Sequence, residues 1–92
     1  MNELLELADS LRDERLTQTR LADGSGVILD LESLQVLSLN DTGMFLVERL
    51  KAGARTVGEL TTALCDEFEV DAEAARRDVD QFLQALREQL RP

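Results

Sequence analysis

The stretch Val27-Ile-Leu-Asp-Leu-Glu-Ser-Leu-Gln-Val-Leu-Ser-Leu39, followed at once by Asn40-Asp41-Thr42, holds the change of pattern that decides the fold. Before Asn40, aliphatic residues gather in short runs that meet at an acidic turn. After it, apolar residues recur at three- and four-residue spacing, the period of a helix lying on a core. Asn40 suits an N-cap, because its side chain can accept from the unsatisfied N–H groups of the first turn, and Asp41 beside it favours the helix dipole. Strands first and helices after predict an α+β domain.

Working outward, Val27 to Leu31 reads as a second strand and Leu34 to Leu39 as a third, with Glu32-Ser33 between them at hairpin-loop length. Alternation puts Val27, Leu29 and Leu31 on one face of the second strand, and Ile28 and Asp30 on the other. In the third strand Leu37 and Leu39 point one way, and Leu34, Val36 and Ser38 the other. Aliphatic groups on both faces exceed what one helical layer needs to cover.

Upstream, Asp23-Gly24-Ser25-Gly26 is a turn signal, preceded by a marginal Thr-rich first strand, Leu16 to Leu21. Residues 2–13 place Leu4, Leu7, Ala8 and Leu11 on one stripe of a short amphipathic helix. Alone it would fray, so it needs a surface from this chain or from a partner. Downstream, Met44, Leu46, Val47 and Leu50 make the buried stripe of helix one, with Phe45 beside it, Lys51 in its last turn and Gly53 at its C-terminal cap. Thr56 and Glu59 form a capping box that opens helix two through Val57, Leu60, Leu64 and Phe68. Asp71 caps helix three, which runs to about Leu90. Its core stripe is Ala75, Val79, Phe82 and Leu86; a second stripe of the same spacing is Arg76, Asp80, Leu83 and Arg87.

At 92 residues the chain has core enough for one compact unit. The reading divides it into the amphipathic helix, residues 1–15, and a strand–helix domain, residues 16–92. Nineteen acids against ten bases give a formal charge of −9, which opposes binding to nucleic acid or to an anionic membrane. The expected location is cytoplasmic, since neither a secretory signal nor a long apolar run is evident.

Histidine is absent, which removes the usual general base near neutral pH and the usual zinc ligand. Cys65 has no such neighbour and falls beside the buried stripe of helix two, as a packed small residue would. No Gly-rich loop has the context of a phosphate cradle. Asp9-Ser10-Leu11 matches the triplet that carries the prosthetic arm of acyl carrier proteins. It lies too near the start of the chain, and strands follow it where those proteins have helices. The expectation is a chain that is not an enzyme, with no cofactor and no metal.

Taken in order, Gly26-Val-Ile-Leu-Asp-Leu-Glu-Ser, Leu37-Ser-Leu-Asn40-Asp-Thr-Gly43, Thr56-Val-Gly-Glu-Leu60, Phe68-Glu-Val-Asp71 and Asp78-Val-Asp-Gln-Phe-Leu-Gln-Ala-Leu86 resemble PqqD. They equally resemble the wider group of leader-peptide recognition elements of ribosomal peptide modification pathways. The resemblance spans about residues 20–90. It implies a winged-helix-like fold of three antiparallel strands followed by three helices, to which this chain adds the N-terminal helix. It also implies a non-catalytic peptide chaperone that takes the leader of a precursor peptide as an added strand on its third strand, against the third helix. The leader is then presented to a modifying enzyme such as a radical SAM protein. Carried over, the edge is Leu34, Gln35, Val36, Leu37 and Ser38, and the helix wall is Arg76, Asp80, Leu83 and Arg87. Family members often carry aromatics just before the position of Leu39; here Val36, Leu37 and Ser38 stand there.

The alternative is a winged-helix adaptor or DNA-binding regulator. Helix two would be its reading helix, yet it carries Glu59, Asp66 and Glu67 and no Lys or Arg. An exposed edge strand also makes a homodimer plausible.

Overall fold

The computed structural model describes residues 2–90. The order of elements is α1 (Glu3–Leu11), β1 (Leu16–Arg20), β2 (Gly26–Asp30), β3 (Val36–Leu39), α2 (Asp41–Lys51), α3 (Val57–Phe68) and α4 (Ala72–Gln89). A three-stranded antiparallel sheet, ordered β1-β2-β3, is preceded by one helix and followed by three, the α+β arrangement expected. Met1, Arg91 and Pro92, at the two ends of the expected division into 1–15 and 16–92, lie outside the described residues.

Local capping sets the helix starts. Asn40 Oδ1 accepts from Gly43 N at 2.8 Å, and Asp71 Oδ1 from Ala74 N at 2.8 Å. Thr56 Oγ1 accepts from Glu59 N at 3.0 Å, but the Glu59 carboxylate takes its bond from Arg55 N at 2.7 Å, not from the Thr56 N–H that a capping box uses. The stripes then meet in one core, where Met44, Leu46, Val47, Leu50, Leu60, Leu64, Ala75, Val79 and Leu86 are all buried. Phe45 and Phe68 close its side edge-to-face, with centroids 5.4 Å apart and planes at 84°. Cys65 is half-buried against this core, as expected.

The surface that α1 needs belongs to this chain. Leu4, Leu7, Ala8 and Leu11 are buried, and the helix packs on α2. Asn2 caps α1 through Leu4 N (2.8 Å) and donates to Arg55 O (2.9 Å), while Arg12 donates to Lys51 O (2.6 Å). Arg87 of α4 grips Glu3 with both Nε and Nη2, at 2.6 and 2.7 Å. The Asp9-Ser10-Leu11 triplet lies within α1 as ordinary helix.

In the sheet the inner face is that of Ile28, Leu37 and Leu39, and the outer face that of Val27, Leu29 and Val36. Gly26 is needed where β2 passes β1 and α2. A Cβ there would stand 2.5 Å from the Thr19 carbonyl oxygen and 2.8 Å from the Met44 side chain.

The third strand is shorter than expected. Leu34 and Gln35 fall in a 31–35 connection that replaces the two-residue turn at Glu32-Ser33. Asp30 organises it: its Oδ1 accepts from Glu32 N (2.9 Å) and Ser33 N (3.3 Å), and Leu34 N returns to Asp30 O (2.7 Å). Partial desolvation acts to raise the Asp30 pKa. The main-chain bonds from Glu32 and Ser33, the Ser33 side chain and the charge of Arg15 outweigh it and hold the carboxyl below the ordinary aspartate value. The connection forces Leu34 into the left-handed region at φ 60°, with its side chain 73% exposed.

Two predictions follow from these contacts. A left-handed leucine costs about 1–2 kcal/mol, part of which glycine returns through its looser unfolded chain. Leu34→Gly should therefore stabilise the domain by roughly 0.5–1 kcal/mol, read as a higher urea midpoint; a lower midpoint contradicts the strain. The hydrogen bonds from Arg87 hold Glu3 below the ordinary glutamate pKa, against a small opposing desolvation. The pair's stabilisation is thus full above that ordinary value, about 4.3, and is lost as pH falls through the lower folded value. Glu3→Gln should cost at most ~1 kcal/mol at pH 7, since the pair is about half exposed. The gap between the two proteins should close in acid, and a gap that persists there would assign the loss to something other than charge.

Candidate functional site

The hydrogen-bond phase of the sheet decides which backbone groups are free. Asp30 N donates to Gln35 O at 2.9 Å, so 30–35 is a bonded pair. With the antiparallel register Ile28↔Leu37 and Gly26↔Leu39, bonded pairs alternate with non-bonded ones along the ladder. Gln35, Leu37 and Leu39 therefore turn their N–H and C=O groups towards β2. Val36 and Ser38 turn theirs away from it, to the open edge of the sheet.

The opposite edge is differently defended. β1 carries Arg20, which pairs with Glu48 of α2 at 3.0 Å, and Gln18, which accepts from Lys51 Nζ at 3.3 Å. Arg15 just before it reaches towards Asp30 (3.8 Å) and Glu32 (3.6 Å). Charged side chains blunt an edge against pairing. The four residues of β3, Val-Leu-Ser-Leu, carry no charge.

Between β3 and α4 lies a groove of about 340 Å³. Ser38, Leu39 and Asn40 form one wall, and Thr42, Gly43 and Leu46 of α2 form its floor. The other wall is Asp78, Gln81, Phe82 and Ala85 of α4. Helix α4 passes the strand in the opposite direction: Gln89 Nε2 meets Gln35 Oε1 at 3.5 Å at one end, while Asp78 lies near Asn40 at the other. An uncharged strand edge with free main-chain groups, beside a groove, is a geometry suited to an extended peptide as an additional strand.

Of the expected site residues, Val36, Leu37 and Ser38 lie in β3 as placed, and Leu34 and Gln35 lie just before it. The expected helix wall is not brought to this groove. Leu83 is 1% exposed and packs in the core, so it presents no pocket. Arg87 is turned to Glu3 of α1, and Arg76 pairs with Asp80 along its own helix at 3.3 Å. The wall is made instead by the neighbouring stripe of Asp78, Gln81, Phe82 and Ala85, of which only Phe82 had been assigned a place, in the core. One sequence signal could have found it: Ala85 is the one alanine in the last fourteen residues of α4, and it leaves a hollow between longer side chains.

A larger groove, about 640 Å³, lies between the C-terminus of α2 and α3. Small residues such as Ala52, Gly53, Gly58 and Ala63 line it together with the charged Arg49, Glu59 and Asp66, and no residue of β3 is among them. Among the described residues no cluster of His, Cys, Asp and Glu is placed to hold a metal ion, and no helix is long and apolar enough to cross a membrane.

Two solved structures share the fold. "TbiB1 in Complex with the TbiA(beta) Leader Peptide" is 27% identical with a TM-score of 0.69, covering 84% of this chain and 87% of that one. "Lasso peptide synthetase B1 complexed with the leader peptide" is 28% identical with a TM-score of 0.69, covering 84% and 88%. No curated protein sequence matches significantly. The family described as Coenzyme PQQ synthesis protein D (PqqD) matches residues 25–89, from the turn before β2 to the end of α4, and the chain belongs to it.

Proposed function

We propose that this chain is a non-catalytic chaperone for a ribosomally made precursor peptide. It binds the leader as a fourth strand along β3 and holds it in the groove against α4. The observation that carries this reading is the pair of outward-facing main-chain sites at Val36 and Ser38, opening beside the groove. Main-chain bonds supply affinity largely independent of sequence, and the groove supplies selection. Membership of the PqqD family and the leader peptides bound by the two structural relatives support it.

Within the edge, Leu34, Gln35, Val36, Leu37 and Ser38 remain the proposed contacts. Leu34 and Val36 offer exposed aliphatic surface at its start. On α4 the proposed contacts move to Asp78, Gln81, Phe82 and Ala85; Arg76, Asp80 and Arg87 serve the helix and its junction with α1. The partner to which the leader is handed is a radical SAM protein, as the family resemblance implies, or another part of a lasso-type synthetase, as the structural relatives suggest. A pull-down with the enzymes encoded beside the gene separates them. The free edge also offers a second copy of the chain a place to pair, in competition with the leader.

The DNA-reading alternative finds no support in α3, which has no Lys or Arg.

Proline at Val36 deletes the N–H that faces the leader, whereas alanine keeps it. Val36→Pro should weaken binding of a leader encoded beside the gene about tenfold more than Val36→Ala, on the order of 1.5 kcal/mol for one lost main-chain bond. Circular dichroism must show the sheet intact in both. Equal losses in two folded variants would exclude strand addition at this position.

A further inference from the structure

The pleat carries the proposed strand addition further, to the chemistry of the leader. A residue of an added strand points to the same face as the residue directly opposite it. Leader side chains opposite Val36 and Ser38 therefore turn to the outer face of the sheet, which no helix covers. Those opposite Leu37 and Leu39 turn to the inner face, the side on which the groove lies. Two leader side chains, two positions apart, are the ones the groove can inspect.

The wall they meet is graded along its length. Residues 78 and 89 of α4 are separated by about 16 Å of helix axis, with Gln89 at the Gln35 end of β3 and Asp78 at the Asn40 end. The side chain opposite Leu37 thus faces Phe82 and Ala85, and the one opposite Leu39 faces Gln81 and Asp78. Asp78 is the one charged residue that lines the groove, and among the described residues it has no ion-pair partner. Arg76 is engaged by Asp80, and Arg77, one position away, projects from a different side of the helix.

Resting on the strand-addition reading above, we propose that Asp78 is a specificity-determining residue. It makes the groove selective for a leader in which an apolar residue and a lysine or arginine stand two positions apart, with the cation at the Asn40 end. A leader carboxylate at that position would meet Asp78 at close range within a chain of net charge −9.

Panning a random-sequence peptide display library on the protein tests this without knowledge of the natural leader. The wild type should enrich peptides with an apolar residue two positions from Lys or Arg, and Asp78→Arg should shift that position to Asp or Glu. For one enriched basic peptide, Asp78→Asn should weaken binding about fivefold, and raising the salt should narrow the difference. Glu67→Gln on α3 removes the same charge away from the groove and should leave affinity near the wild-type value. A loss from Glu67→Gln equal to that from Asp78→Asn would assign the preference to the overall field and overturn the role of Asp78. Enrichment of apolar pairs with no charge preference, or a preference that Asp78→Arg leaves unmoved, would overturn it too, while sparing the groove as a peptide site. If neither protein enriches any peptide, the strand-addition reading fails and this inference with it.

Discussion

Because the Asn40 side chain accepts from the Gly43 N–H and starts α2, the chain turns out of the sheet directly after Leu39. Strand β3 is left only four residues long, bonded to β2 on one side and to no strand on the other. A longer β3 would be the kind of exposed edge that invites aggregation, and a charged one would refuse a peptide. Short, uncharged and bordered by a helix, this edge is where the proposed function places the leader. The rest of the molecule holds the two sides of that opening apart.

The helix wall depends on contacts far from the opening. Helix α4 is held by its buried stripe of Ala75, Val79, Phe82, Leu83 and Leu86, and by α3 packed beside it. Near its C-terminus Arg87 ties it to Glu3, the first residue of α1. Helix α1 precedes the residues that match the PqqD family, yet its leucines complete the same core and its first turn anchors the last turns of α4. A helix that never meets the groove thus helps to set its width.

The helix starts were legible because capping is local chemistry: Asn40, Thr56 and Asp71 each accept from the N–H three residues on, as their types suggest. The buried stripes of α1 and α2, Leu60 and Leu64 of α3, and the α4 stripe apart from Leu83 were legible from spacing. Three features were not. Leucine at positive φ has no sequence signature, so the 31–35 connection built on Asp30 read as strand plus a short turn. Spacing along α4 shows which residues share a stripe but not which neighbour the stripe meets, so Leu83 and Arg87 looked available when the core and Glu3 already held them. The outward phase of Val36 and Ser38 likewise required the pairing of Asp30 with Gln35, which no single strand's pattern reveals.

Hydrogen exchange at two amides tests the central claim most directly. In the free protein the N–H groups of Val36 and Ser38 face the open edge and should exchange quickly, while that of Leu37, bonded to β2, is slow. Saturation with a leader peptide encoded beside the gene should slow Val36 and Ser38 strongly and leave the alternation at Leu37 unchanged. If the peptide binds and both amides keep their free exchange rates, the leader does not add to β3.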